Sequence, residues 1–269
     1  MFTRVTLCAV FFGLCASMPR AQDVSARPAP LSDDQIEKFL QHARVVHTQS
    51  TTKGLTGSLR VTLSDGTLTH DAQIQQVDEK TSQFVGFQST ELDFRDTWSY
   101  NVAAYRVDRL LGFNLVPVSV ERKWQMRPAA FTWWVDDVQM DEEERQKRKV
   151  LPPDTERWNQ QMQLVRLFDQ LIGNTDRNLG NLLITPEWQL IMIDHTRCFK
   201  SLGELKTPKD LTFFSKSLME SLKGLNAKEV ETQCGKYISG MEINAMLERR
   251  NKILALYEKV AETPGAVYP

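Results

Sequence analysis

Residues 154–195 constrain this chain most: a helical pattern, a polar loop and an apolar hairpin follow in order and end on an aspartate. Trp158, Met162, Val165, Phe168 and Ile172 recur at spacings of three and four, which predicts one buried helix face. Asp154 or Thr155, behind Pro152-Pro153, is the expected N-cap, and Gly173 the residue that ends the helix. The loop Asn174-Thr175-Asp176-Arg177-Asn178-Leu179-Gly180-Asn181 follows. Leu182–Thr185, a turn at Pro186-Glu187 and Trp188–Ile193 then predict a β-hairpin ending at Asp194-His195. Asn, Asp and Gly also favour plain turns, so the loop alone decides little. The third polar group, Asp194 after a buried-looking strand pair, makes phosphoryl-transfer chemistry the better reading. Asp176 suits a base, and Asn181 and Asp194 suit oxygen ligands of Mg²⁺. Arg177 is placed to offset the clustered negative charge. Trp158 and Trp188 are read as core.

Asp176 and Asn181 stand five positions apart, the Asp-to-Asn separation of the protein-kinase catalytic loop. Residues 157–199 resemble the atypical kinase superfamily: phosphatidylinositol 3- and 4-kinases, HipA kinases and secretory-pathway kinases. Asp176-Arg177-Asn178 and Gly180-Asn181 are most similar to the type II phosphatidylinositol 4-kinase loop. Trp98–Asn114 with Val116-Pro117 resembles the superfamily's small-lobe helix and next strand, and Glu242–Arg250 its last helices. The resemblance spans roughly residues 50–260 and implies an α+β, two-lobed kinase-like fold. The small lobe would be β-rich with one main helix, and the large lobe mostly helical. It also implies ATP and Mg²⁺ or Mn²⁺ as cofactors, and adenine pairing with the backbone near Val135, after a strand from Phe131.

One departure matters. Active kinases pair a strand Lys with a Glu on the small-lobe helix. By the resemblance, these positions fall at Gln75 and Asn101, both amides. Replacing only one partner would strand a buried charge, whereas two amides form a neutral, satisfiable pair. Lys80 or Lys53 is the substitute cation to consider, although Lys80 is an odd number of positions from Gln75 and would face away on a regular strand.

The chain has 269 residues, a net charge of -1 and 41% hydrophobic residues, enough to bury the core of one two-lobed domain. Near-neutral charge excludes a general nucleic-acid binder. The four His residues lack metal-ligand spacing, which argues against a zinc hydrolase and makes His195 a packing group or a support behind the ligands, not a ligand itself. Arg4 followed by the apolar run Val5–Ala16 predicts a signal peptide over 1–21 and a secreted or periplasmic protein. An uncleaved N-terminal membrane anchor is the alternative. No apolar stretch in the mature chain is long enough to span a membrane. After cleavage only Cys198 and Cys234 remain, as one disulfide or two buried thiols.

The expected organisation is a leader over 22–30, a small lobe over 31–135, a connection over 136–152, a large lobe over 153–262 and a tail over 263–269. Ser32 with Gln35 predicts a capped helix to about Ala43. Leu59–Leu63 and Thr67–Val77 predict a hairpin around Ser64-Asp65-Gly66. Gly54 and Gly57 suit either a phosphate cover or an ordinary loop. Thr97–Leu111 predicts a helix capped by Asp96 or Thr97, and Asp141–Lys149 a solvated helix with i,i+4 ion pairs. Residues 227–262 predict two helices with Gly240 between them. Two functions follow: an ATP-dependent phosphotransferase acting on a hydroxyl of a protein or lipid, or a pseudokinase binding a nucleotide or protein partner.

Overall fold

The computed structural model describes residues 30–50, 58–85, 90–175 and 177–269. The expectations for the signal peptide, most of the leader, Lys53, Gly54, Gly57 and Asp176 lie outside them. Residues Ser32–Pro269 form one compact unit.

The unit begins with α1 (Asp33–His42), where Ser32 and Gln35 close the expected capping box. β1 (Arg44–Ser50), β2 (Leu59–Ser64) and β3 (Thr69–Gln75) follow. β1 escaped the sequence reading: it has no clean alternation, its register slips between Val45 and His47, and Val46 is exposed. The β2–β3 turn is held by Asp65, whose carboxylate accepts from the Thr67 and Leu68 amides, both at 2.8 Å. β4 (Asp78–Val85) and β5 (Thr90–Thr97) form a separate antiparallel ribbon. Then come α2 (Ser99–Leu111), β6 (Ser119–Trp124) and β7 (Arg127–Trp133). β1-β2-β3-β7-β6 is a five-stranded antiparallel sheet.

Side chains alternate across β3. Ala72 and Ile74 are buried in the main core. Gln73 and Gln75 point to the opposite face. Against the core, Phe39 of α1 meets Trp133 edge-on at 5.8 Å, and Arg122 donates to the Leu40 and Ala43 carbonyls. Helix α2 buries Val102, Ala103, Ala104, Val107 and Leu111. Each buried Val or Leu contributes about 1.5–3 kcal/mol. The helix begins at Ser99, not Thr97, and Asp96 does not cap it: Thr97 still belongs to β5, and its amide donates to the Thr196 carbonyl at 2.8 Å.

The large lobe opens with β8 (Met140–Asp141), α3 (Glu142–Arg148), α4 (Thr155–Ile172), β9 (Leu182–Ile184) and β10 (Leu190–Met192). β8 pairs with β9, so residues 136–152 also supply a strand to the large lobe. α3 carries the ion pairs Lys147–Glu143 at 2.7 Å and Arg148–Glu144 at 2.9 Å. α4 runs from the Asp154 cap to Gly173 in the left-handed region, as its periodicity predicts. Trp158 and Trp188 pack on each other at 5.8 Å. β11 (Phe214–Ser215), α5 (Lys216–Gly224), α6 (Ala227–Cys234), α7 (Gly240–Val260) and β12 (Val267–Tyr268) complete the chain. Gly240 starts α7 behind its Ser239 cap and does not separate two helices as a linker. Residues 263–269 are no free tail, because β12 pairs in parallel with β11.

The lobes are fastened through α2. The Tyr100 hydroxyl donates to Glu242 of α7, Arg95 reaches the same carboxylate at 3.2 Å, and Glu242 also closes a capping box with Ser239. Burial, then Glu242 itself, raises the Tyr100 pKa, so the phenol stays protonated. No described helix is long and apolar enough to cross a membrane.

Candidate active site

The end of β3 carries Gln75, and the first turn of α2 carries Asn101; both are buried. Asn101 Nδ2 donates to Gln75 Oε1 at 2.6 Å, so the fold brings these two amides together. The Asn101 side chain has a second contact that sequence reasoning missed: its Oδ1 accepts from the His195 amide at 2.9 Å. One side chain thus joins the small-lobe strand to the segment after Asp194. The Gln75 NH₂ bonds to none of the described residues and remains available as a donor.

Beneath this bridge, the Asn178 side chain accepts from the Gly180 amide at 2.9 Å and the Asn181 amide donates to the Asn178 carbonyl at 2.9 Å. The Ile193 amide donates to the Asn181 carbonyl at 3.0 Å, so loop and hairpin end cross. The crossing sets Asn181 Nδ2 at 3.4 Å from Asp194 Oδ2. Asp194 has φ 59°, a left-handed conformation that costs about 1 kcal/mol or more and turns its carboxylate into the cleft. Asp176 lies between these parts in sequence, outside the described residues.

Arg177 is committed chiefly to Asp169, and its charge also reaches Asp194. It grips Asp169 in the last turn of α4 through Nη2 at 2.9 Å and Nε at 3.0 Å, while Nη1 donates to the Ile193 carbonyl at 2.7 Å. Asn174 binds the same Asp169 at 2.9 Å. Burial opposes the Arg177 charge, but Asp169 outweighs it and the guanidinium pKa rises. His195 is a buried packing group against Phe168, and burial, then Arg177, lowers its pKa well below the ordinary value. Arg249 of α7 reaches the other end of the loop, donating to the Leu171, Lys200 and Leu202 carbonyls. Its isolation in α7 gave no sequence signal for this.

The cleft between the lobes is lined by Gln73, Ser119 and Thr132 above, Met192 to His195 below, and Asn101, Val116 and Pro117 at the back. Its interior holds about 10 Å³, the room of one water. Its lining contains no Lys or Arg among the described residues. Val135 lies past the end of β7 and does not line this cavity. Lys80 is exposed on the β4–β5 ribbon, opposite Arg95, and does not continue β3.

The donor set fits a hard divalent cation. A carboxylate and an amide lie side by side, and turning the Asn181 amide over puts its oxygen toward Asp194. Among the described residues no three acids or imidazoles gather, so such a cation would take several of its ligands from phosphate and water. Cys198 and Cys234 are free and buried, which settles the two-thiol alternative. Burial pushes the Cys234 thiol up to about 12 and Cys198 upward as well, leaving both inert.

No family model and no curated protein matches the sequence. Solved structures do match. A Golgi casein kinase shares 14% identity at TM-score 0.63, over 87% of this chain and 76% of its own; the same kinase is also known with Mn/ADP bound. Hydra Fam20 with sugar shares 14% at TM-score 0.66, over 87% and 91%. The Helicobacter pylori proinflammatory kinase CtkA shares 11% at TM-score 0.53, over 84% and 99%. The chain therefore has the two-lobed, α+β, kinase-like fold of these structures.

Proposed function

We propose that this protein is an exported kinase-like phosphotransferase that moves the γ-phosphate of ATP to a hydroxyl of a protein or lipid. The observation that carries this reading is the Asn101 bridge, which ties Gln75 at the end of β3 to the backbone beside Asp194. Asn181 and Asp194 are the residues that would hold Mg²⁺ or Mn²⁺, which when bound would supply positive charge against the phosphates. Asp176 orients the substrate hydroxyl and accepts its proton. Gln75 donates its free NH₂ to a phosphate oxygen, a neutral contact about half as strong as that of an ammonium. The N-terminal apolar run and the Golgi location named for one structural neighbour support export.

A second reading is a pseudokinase that binds nucleotide or a protein partner without turnover. The uncharged Gln75–Asn101 pair and a cleft lining without Lys or Arg favour it. Thermal-shift titration of the mature protein with ATP and Mg²⁺ or Mn²⁺ tests both. A ligand at a hundredfold its Kd stabilises by about 2.7 kcal/mol. Metal-dependent stabilisation with phosphotransfer supports the first reading, stabilisation without turnover the second, and no stabilisation by any nucleotide refutes nucleotide binding.

A further inference from the structure

Asp96 is the penultimate residue of β5, and its position beside α2 invites the role of a cap. The carboxylate has turned elsewhere: α2 has no side-chain cap, and Asp96 bonds to the Thr196 side chain instead. Thr196 Oγ also stands 3.4 Å from Asp194 Oδ1, so one hydroxyl lies between the two carboxylates. The backbone fixes this approach, since the Thr97 amide donates to the Thr196 carbonyl at 2.8 Å.

Asp96 is only 8% exposed, and its Oδ1 has no hydrogen-bond partner. A buried carboxylate oxygen without a donor is destabilising, and such atoms call for an explanation. The charges around Asp96 are Asp194, Glu79 and Arg197, two of the three negative. Arg197 is also engaged over the Phe94 ring at 4.9 Å. A cation between Asp96 and Asp194 would give the orphaned Oδ1 a partner.

We propose that Asp96 is a further ligand of the divalent-cation site, completing with Asp194 a two-carboxylate seat for Mn²⁺ or Mg²⁺. The assignment rests on the metal reading of Asn181 and Asp194 given above. It also answers the neutral amide pair. A site without the ammonium must present its positive charge to phosphate through metal, and a second carboxylate holds that metal more tightly.

The test titrates the full mature chain with Mn²⁺ alone, then with Mn²⁺ and ADP, following free Mn²⁺ by electron paramagnetic resonance. Melting temperatures are measured without metal. Asp96→Asn is expected to weaken Mn²⁺ binding about tenfold or more, the usual scale for changes at a metal site. The same variant is expected to raise the metal-free melting temperature, because it removes a buried charge. Asp96→Ser is a second variant with the same expectation for Mn²⁺. Wild-type Mn²⁺ affinity in both variants, alongside its loss in Asp194→Ala, overturns this inference alone. Weaker binding with a lower melting temperature in both variants assigns Asp96 to the fold and also overturns it. A wild type that binds no Mn²⁺ in either condition overturns the metal reading and this inference together.

Discussion

Restoring the ion pair at Gln75 and Asn101 probes the site most directly. The two residues are 3% and 5% exposed and joined at 2.6 Å, so any charge placed there is desolvated. Gln75→Lys alone buries an ammonium against an amide and is expected to cost about 3–5 kcal/mol. Asn101→Glu alone is expected to cost a similar amount, because its carboxylate faces a neutral Gln75. It must also keep an oxygen on the His195 amide, now 2.9 Å from Asn101. Together the two form a pair with hydrogen bonds on both sides. The double variant is therefore expected to be about 2 kcal/mol or more better than the sum of the singles, within the range for contacting residues. Urea unfolding at constant m-value measures this coupling. In the nucleotide assay, the double variant regains a charge-assisted phosphate contact of about 1.5–3 kcal/mol, a 10- to 150-fold gain in affinity for ATP with Mn²⁺. Coupling below about 0.5 kcal/mol would refute the argument that the amides stand in for an ion pair.

Asp194→Ala is expected to abolish any metal-dependent thermal shift by ATP while leaving the metal-free melting temperature within a few degrees. Asp176→Asn is expected to keep nucleotide binding and eliminate phosphotransfer, read by isothermal titration and product formation on one sample. Asp108 is fully buried, and burial outweighs the Leu115 amide and Arg109, pushing its carboxyl up to about 6 from 3.8. The folded state therefore binds this proton more tightly than the unfolded state. Its stabilisation is complete below pH 3.8 and lost as pH rises through 6, at most about 3 kcal/mol at 1.36 kcal/mol per unit. Asp108→Asn is expected to flatten stability across that window in urea melts. Gly173→Ala puts a Cβ 2.9 Å from the Arg249 guanidinium carbon at φ 65°, and is expected to cost about 2 kcal/mol or more by thermal unfolding.

Local pattern carried the sequence reading furthest. Helix α4, its Asp154 cap, its Gly173 end and the β9–β10 hairpin follow from contacts within a few residues, and all were legible. The Gln75–Asn101 contact spans 26 positions and was reached through resemblance, then met in the fold. Strand β1 was missed because an edge strand buries too little to impose alternation, and the β4–β5 ribbon was missed with it. Asp96 was read as a cap because local chemistry favours that role; only the tertiary approach of Thr196 redirects it. The grip of Arg177 on Asp169 and of Arg249 on three carbonyls leaves no periodic trace. Arg is polar in any pattern, and its burial depends on partners distant in sequence.

The Tyr100–Glu242 contact joins the helix bearing Asn101 to the last long helix of the chain. In many two-lobed enzymes such a helix can pivot, and pivoting is how activity is switched. Here the contact couples the orientation of that helix to the docking of α7, so alignment of the site depends on a segment 142 positions further along the chain.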